Sequence, residues 1–234
     1  MDKFTRRELK QDRFALEVEH SVEYVSGHRA PIIKWGSLGL AVVLLVVGVI
    51  WYRSYQHQAR QELLAAAIQD QNVQVGPSQS EYAVAFPSQA DKDAAVNKAF
   101  SELVAKYPGS DEAMVAEFYL AAQAAEKGDL AQAQKRFQLV VDSGPKDYAS
   151  LAKLSLAQIF QSQGKLPEAE KLVRGVMDNP TALVSKEQAT ITLARLVAPS
   201  NPQEARKLLE PLRASERAAV SRAALTALSD LPSK

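Results

Sequence analysis

The residues best suited to proton transfer or metal ligation are three histidines, His20, His28 and His57, and none stands at metal-ligand spacing from another. All three precede residue 58, so the long C-terminal part contains no histidine and cannot assemble a Ser-His-Asp arrangement. Cysteine is absent, which excludes disulfides, thiolate metal sites and a cysteine nucleophile, and is compatible with an oxidising compartment. The 10 glycines are dispersed and form no phosphate-cradling loop. Carboxylate pairs such as Asp111-Glu112 fall at helix starts, where the helix dipole accounts for them, and Glu170-Lys171 reads as solvated helix surface. These residues predict no catalytic group, no cofactor and no metal. The chain reads as a non-enzyme.

The elements that carry these side chains are set by one stretch, Trp35 to Tyr52, eighteen residues without a charge or a side-chain amide. At ~1.5 Å of helical rise per residue it spans roughly 27 Å, close to the ~30 Å hydrocarbon thickness of a bilayer. Trp35 at one end and Trp51 and Tyr52 at the other form an interfacial belt, with Lys34 and Arg53 just outside it. A buried helix of a soluble core would not need those flanks. A cleaved signal peptide predicts a short basic start, a shorter apolar run and a small-residue cleavage site directly after it, and none of these fits. The stretch is read as an uncleaved signal anchor.

Charges close to the span tie, Arg29 and Lys34 before it and Arg53 and Arg60 after it. The whole tail adds Lys3, Arg6, Arg7, Lys10 and Arg13, which favours a cytoplasmic N-terminus. Of 28 Lys and Arg, 7 lie up to Lys34, leaving 21; of 27 Asp and Glu, 6 lie there, also leaving 21. A part with no net charge has no electrostatic footprint for nucleic acid. No small-molecule substrate is evident either.

In chain order, residues 1–34 form a polar tail in which Phe14, Val18, Val22 and Val25 make one helical stripe. That tail either lies on the cytoplasmic leaflet, docks on a cytosolic partner, or is a solvated lead to the membrane. The anchor takes 35–52 and a juxtamembrane helix 53–71. Residues 72–90, with Gly76, Pro77 and Pro87, read as an irregular linker, although Tyr82, Val84 and Phe86 alternate as a short strand would.

Residues 91–234 repeat themselves. Gly128, Leu130, Ala133, Phe137 and Val140 recur 36 residues later as Gly164, Leu166, Ala169, Val173 and Val176. A third copy carries Ala205, Leu209 and Leu212. Leu120-Ala121 recurs as Leu156-Ala157, then after 37 residues as Leu193-Ala194. An earlier half-copy has Phe100, Leu103 and Pro108, and residues 215–230, with Ala219, Leu225 and Leu228 apolar, supply a terminal cap. The unit is helix, turn, helix, and one unit cannot bury its apolar face without neighbours. The expected fold is therefore all-α, a single transmembrane helix followed by an α-solenoid.

Leu120, Ala121, Ala133, Phe137 and Pro145 match the pattern of tetratricopeptide repeats, which the units resemble. The resemblance implies a protein-binding surface built from the first helix of each pair. Its inward positions fall near Val115, Phe118 and Ala122, then Leu151, Leu154, Gln158 and Gln161, then Gln188, Ile191 and Arg195. Phe118, Leu154 and Ile191 would offer an apolar strip, with Gln158, Gln161 and Arg195 as polar contacts for a peptide.

The whole arrangement resembles the YfgM-like family, the bacterial ancillary subunit of the SecYEG translocon. That resemblance implies a single-pass inner-membrane protein with its repeats in the periplasm, partnered by translocon subunits, periplasmic chaperones or exported chains. The alternative is a scaffold for envelope, cell-division or peptidoglycan assembly.

Overall fold

No proline or glycine interrupts the chain between Gly48 and Gly76, so the apolar run does not end as a helix at Tyr52. The computed structural model describes residues 29–76 and 85–232, and in it helix α1 runs from Arg29 to Asn72. The expected stripe of Phe14, Val18, Val22 and Val25 lies outside the described residues, as do Tyr82 and Val84. Contacts divide the chain into two units, Met1–Gln58 and Ala59–Lys234.

In the first unit the apolar side chains of α1 stand bare. From Leu38 to Ile50 the large ones are 46–67% exposed, right round the helix. Among the described residues this is one helix long and apolar enough to cross a membrane. Trp35, Trp51 and Tyr52 are also exposed, and Trp51 stacks on Tyr55 at 6.2 Å.

The second unit is helical almost throughout. After α1 come β1 (Gln74–Val75) and β2 (Ala85–Phe86), which pair in parallel with Val75 opposite Phe86. The segment expected to be irregular thus contains a two-residue bridge. Gly76, at φ +115°, turns its N–H to the Phe86 carbonyl at 3.0 Å, a conformation that a side chain would oppose.

The pairs that follow are α2 (Gln89–Lys106), α3 (Asp111–Glu126) with α4 (Leu130–Ser143), α5 (Lys146–Ser162) with α6 (Leu166–Asp178), and α7 (Lys186–Val197) with α8 (Pro202–Leu209). A 3₁₀ turn (Glu210–Ala214) and α9 (Ala218–Ser229) close the unit. From α2 to α8 each helix packs on the next, as an α-solenoid requires.

The turns explain the register. Gly128 and Gly164 sit at φ +80° and +75° just past α3 and α5. There Asp129 N–H reaches the Ala124 carbonyl at 2.9 Å and Lys165 N–H the Phe160 carbonyl at 2.8 Å, the bond that satisfies a helix end with a left-handed residue. Ser110, Asp129, Ser185 and Asn201 cap α3, α4, α7 and α8 through their side chains. The turn before α5 has no such cap, because Pro145 holds the cap position and has no side-chain acceptor to offer. Asp147 instead accepts the Ala182 N–H at 3.0 Å and ties α5 to the turn leading into α7.

Between the pairs, Ala121, Ala133, Ala157, Ala169, Ala194 and Ala205 are buried, so helices approach closely. Phe100, Phe137, Leu156, Val173, Leu193 and Leu209 fill the layers between them. The cap helix buries Ala224 and Ala227, with Leu231 just beyond, rather than the expected Ala219 and Leu225, which face out. Spacings of three and four residues put that Ala-Ala-Leu set on one face, with Leu228 at its margin.

One structural role was not anticipated. Leu64, Ala67 and Ile68 of α1 join Val96, Phe100, Leu103, Ala116 and Leu120 in a single apolar cluster. The end of α1 therefore pairs with α2 as the missing first helix of the half-copy.

Candidate functional site

The first helices α3, α5 and α7 carry the positions expected to face a ligand. Equivalent positions differ in chemistry: Ala122 and Ala125 on α3 correspond to Gln158 and Gln161 on α5, while Arg195 on α7 corresponds to Gln158. The face therefore changes along the array, from small and apolar to amide to cationic.

Gln158, Gln161 and Arg195 come together. With Thr192 they rim a hollow of about 150 Å³ whose remaining lining is Ala157, Val173 and Leu196. All three predicted polar residues are exposed. Among the described residues nothing forms a hydrogen bond or ion pair with their side chains. Thr192 was not foreseen as part of the site, and its hydroxyl donates to the Gln188 carbonyl at 3.0 Å. It precedes Arg195 by three residues, the spacing of Gln158 and Gln161, and that was the signal available in the sequence.

The apolar predictions go elsewhere. Leu154 and Ile191 are 8% exposed each and belong to the cluster that joins the second and third pairs. Leu151 packs against the same cluster, half-buried. Helical position explains this, since Leu154 lies one turn before Gln158 on the margin shared by the outward face and the inter-helix seam. Phe118 does not reach the hollow. It is half-buried in an aromatic group, 5.5 Å from Phe137 and 5.4 Å from Tyr148, both edge-on. Tyr119 stacks on Phe100 at 5.0 Å and bonds to Tyr148, whose hydroxyl is pushed up to about 12, mainly by burial and then by that bond.

Several arginines of the unit are engaged between helices, unlike Arg195. Arg60 bonds Glu112 at 2.8 Å, and Arg136 bonds the buried Glu117 at 2.5 Å. Arg174 bridges Glu170 at 2.6 Å and Glu204 at 2.5 Å, joining α6 to α8. These pairs fasten helices to one another. Among the described residues no group of three or more His, Cys, Asp and Glu could hold a metal ion.

A hollow with an apolar floor and unpaired amide and guanidinium groups on its rim is equipped for polypeptide contact. The amides can both donate and accept, as peptide bonds do, and the guanidinium takes a carboxylate or a carbonyl. Compared with protein families, residues 34–207 match the one described as tetratricopeptide repeat-like domain. The searches of curated proteins and of solved structures gave no match.

Proposed function

Because the chain belongs to the tetratricopeptide repeat-like domain family, we propose that it is a membrane-anchored protein-binding module whose repeats receive segments of other proteins outside the cytoplasm. The observation that carries this reading is the convergence of Gln158, Gln161 and Arg195 on one hollow without internal partners. Exposed amide and guanidinium groups gathered at a concavity with an apolar floor favour recognition of a partner. The span between a belt of Trp35 on one side and Trp51 and Tyr52 on the other would hold the module at a bacterial inner membrane. A short tail, one anchor and a repeat array support a role beside the translocon, where exported chains and periplasmic chaperones would be the partners.

The test is in-cell photocrosslinking from a probe at position 158, with the captured proteins identified. Translocon subunits, periplasmic chaperones or newly exported chains are the expected products. Stable capture of division or wall-synthesis proteins would replace this role with that of an envelope scaffold. Capture of cytosolic proteins alone would reverse the orientation and end both readings.

A further inference from the structure

The hollow between α5 and α7 is small. At about 150 Å³ it falls well below the several hundred Å³ of sites that enclose small molecules, and it has room for about one side chain. Its lining includes a single charged residue, Arg195, and no carboxylate. Nothing among the described residues neutralises that guanidinium. The carboxylates nearest in sequence are engaged elsewhere: Glu187 pairs with Arg217, and Glu204 with Arg174.

Resting on the peptide-binding reading above, we infer that this hollow is a socket for one acidic side chain of an extended partner segment. The carboxylate seats on Arg195, and Gln158 and Gln161 bond the peptide groups on either side of it. Ala157, Val173 and Leu196 cover the methylene stem. A guanidinium presents a planar fork of donors that fits two carboxylate oxygens, whereas a lysine side chain of the partner would meet a like charge. The floor is apolar, so glutamate, with two methylenes, fills it better than aspartate. The face on α3 that continues the row offers Ala122 and Ala125, which have neither charge nor amide. Acidic selection is therefore confined to one position of the bound segment.

The experiment uses the full chain in nanodiscs and fluorescent ten-residue peptides of alanine, serine and leucine, acetylated and amidated so that no terminal charge remains. One set carries a central Glu, a second Gln and a third Lys. The Glu peptide is expected to bind roughly 10- to 100-fold more tightly than the Gln peptide, the range of a charge-assisted bond. Arg195→Gln should erase that preference, so that the Glu and Gln peptides bind alike, and Arg195→Glu should transfer it to the Lys peptide. Because Arg195 is exposed and unpaired, both variants should melt as the parent does.

Equal binding of the Glu and Gln peptides, with both crosslinking to position 158, would overturn the socket and leave the peptide groove standing. A preference that appears only with a free C-terminus would assign Arg195 to chain ends and also overturn it. If no peptide crosslinks to position 158, the groove itself fails, and the socket with it.

Discussion

Val46 on α1 and Leu225 on α9 are apolar side chains of similar exposure, 48% and 47%, and they belong to opposite solutions of the same problem. Around Val46 the neighbours on the helix are apolar and bare, so among the described residues this stretch of α1 has no inner face. Around Leu225 the helix is divided, with Ala224 and Ala227 sunk against the last pair and Arg222 facing out. The array makes its own apolar solvent by stacking faces, whereas this stretch of α1 is long and apolar enough to take one from a bilayer. Apolar content alone does not distinguish the two; the distribution around the helix does.

The largest expected effect tests the self-made side of this contrast. Phe137 is 2% exposed and meets Phe118 edge-on while closing the layer between α4 and α5. Phe137→Ala should destabilise the repeat unit by about 3–5 kcal/mol, because a cavity remains where helices cannot fully collapse. Leu44→Ala removes a side chain of similar hydrophobicity from the span and should leave the repeat unit's unfolding unchanged. Denaturant titration of the full chain in detergent measures both, and equal losses would break the comparison.

Next in size is the effect of a charge. Val46→Lys, near the middle of the span, should cost about 2.5–3.5 kcal/mol of membrane insertion. Leu225→Lys, at the same exposure, should change stability by no more than about 0.5 kcal/mol, since water already covers that position. Membrane fractionation after alkaline extraction reads the first and thermal melting the second. If Val46→Lys is retained in the membrane as fully as the parent, residues 35–52 do not face lipid.

The span and the repeat were legible because each is written locally. Eighteen uncharged residues announce a span, and Gly128 and Gly164, 36 apart, mark turns that only a left-handed residue makes without strain. The first helix of the array was hidden because Leu64, Ala67 and Ile68 continue the anchor without a break. Their partners, Phe100 and Leu120, lie more than thirty residues on, and Arg60 reaches Glu112 across 52 residues. No periodicity records such a pairing. At the hollow, offsets of 36 and 37 placed Gln158, Gln161 and Arg195 on matching faces. Leu154 and Ile191 share the same offset yet serve the seam, because repeat alignment gives the helix position and not the depth of the neighbouring helix.

The smallest effect concerns how the array ends. A span ends in aromatic rings at a headgroup boundary, whereas a stack of apolar faces must end against a helix that is polar outside, and here that helix is α9. Arg217, the cap residue just before α9, pairs with Glu187 at the start of α7. The Arg217 hydrogen bond, aided by the helix N-terminal backbone and Ser185, lowers the Glu187 carboxyl from 4.5 to about 2. The folded state therefore holds this group's negative charge more tightly than the unfolded chain does. Its contribution is complete above pH 4.5 and is lost as the pH falls toward 2. Water and salt surround the pair, so the contribution is modest and should shrink further at high ionic strength. In low salt, the parent's melting temperature should fall more between pH 5 and pH 2.5 than that of Glu187→Gln, which has no proton to gain. Hydrogen exchange should localise the difference to α9. If the two chains lose stability in parallel over that range, Arg217 does not fasten the cap and Ala224, Ala227 and Leu231 hold it by packing alone.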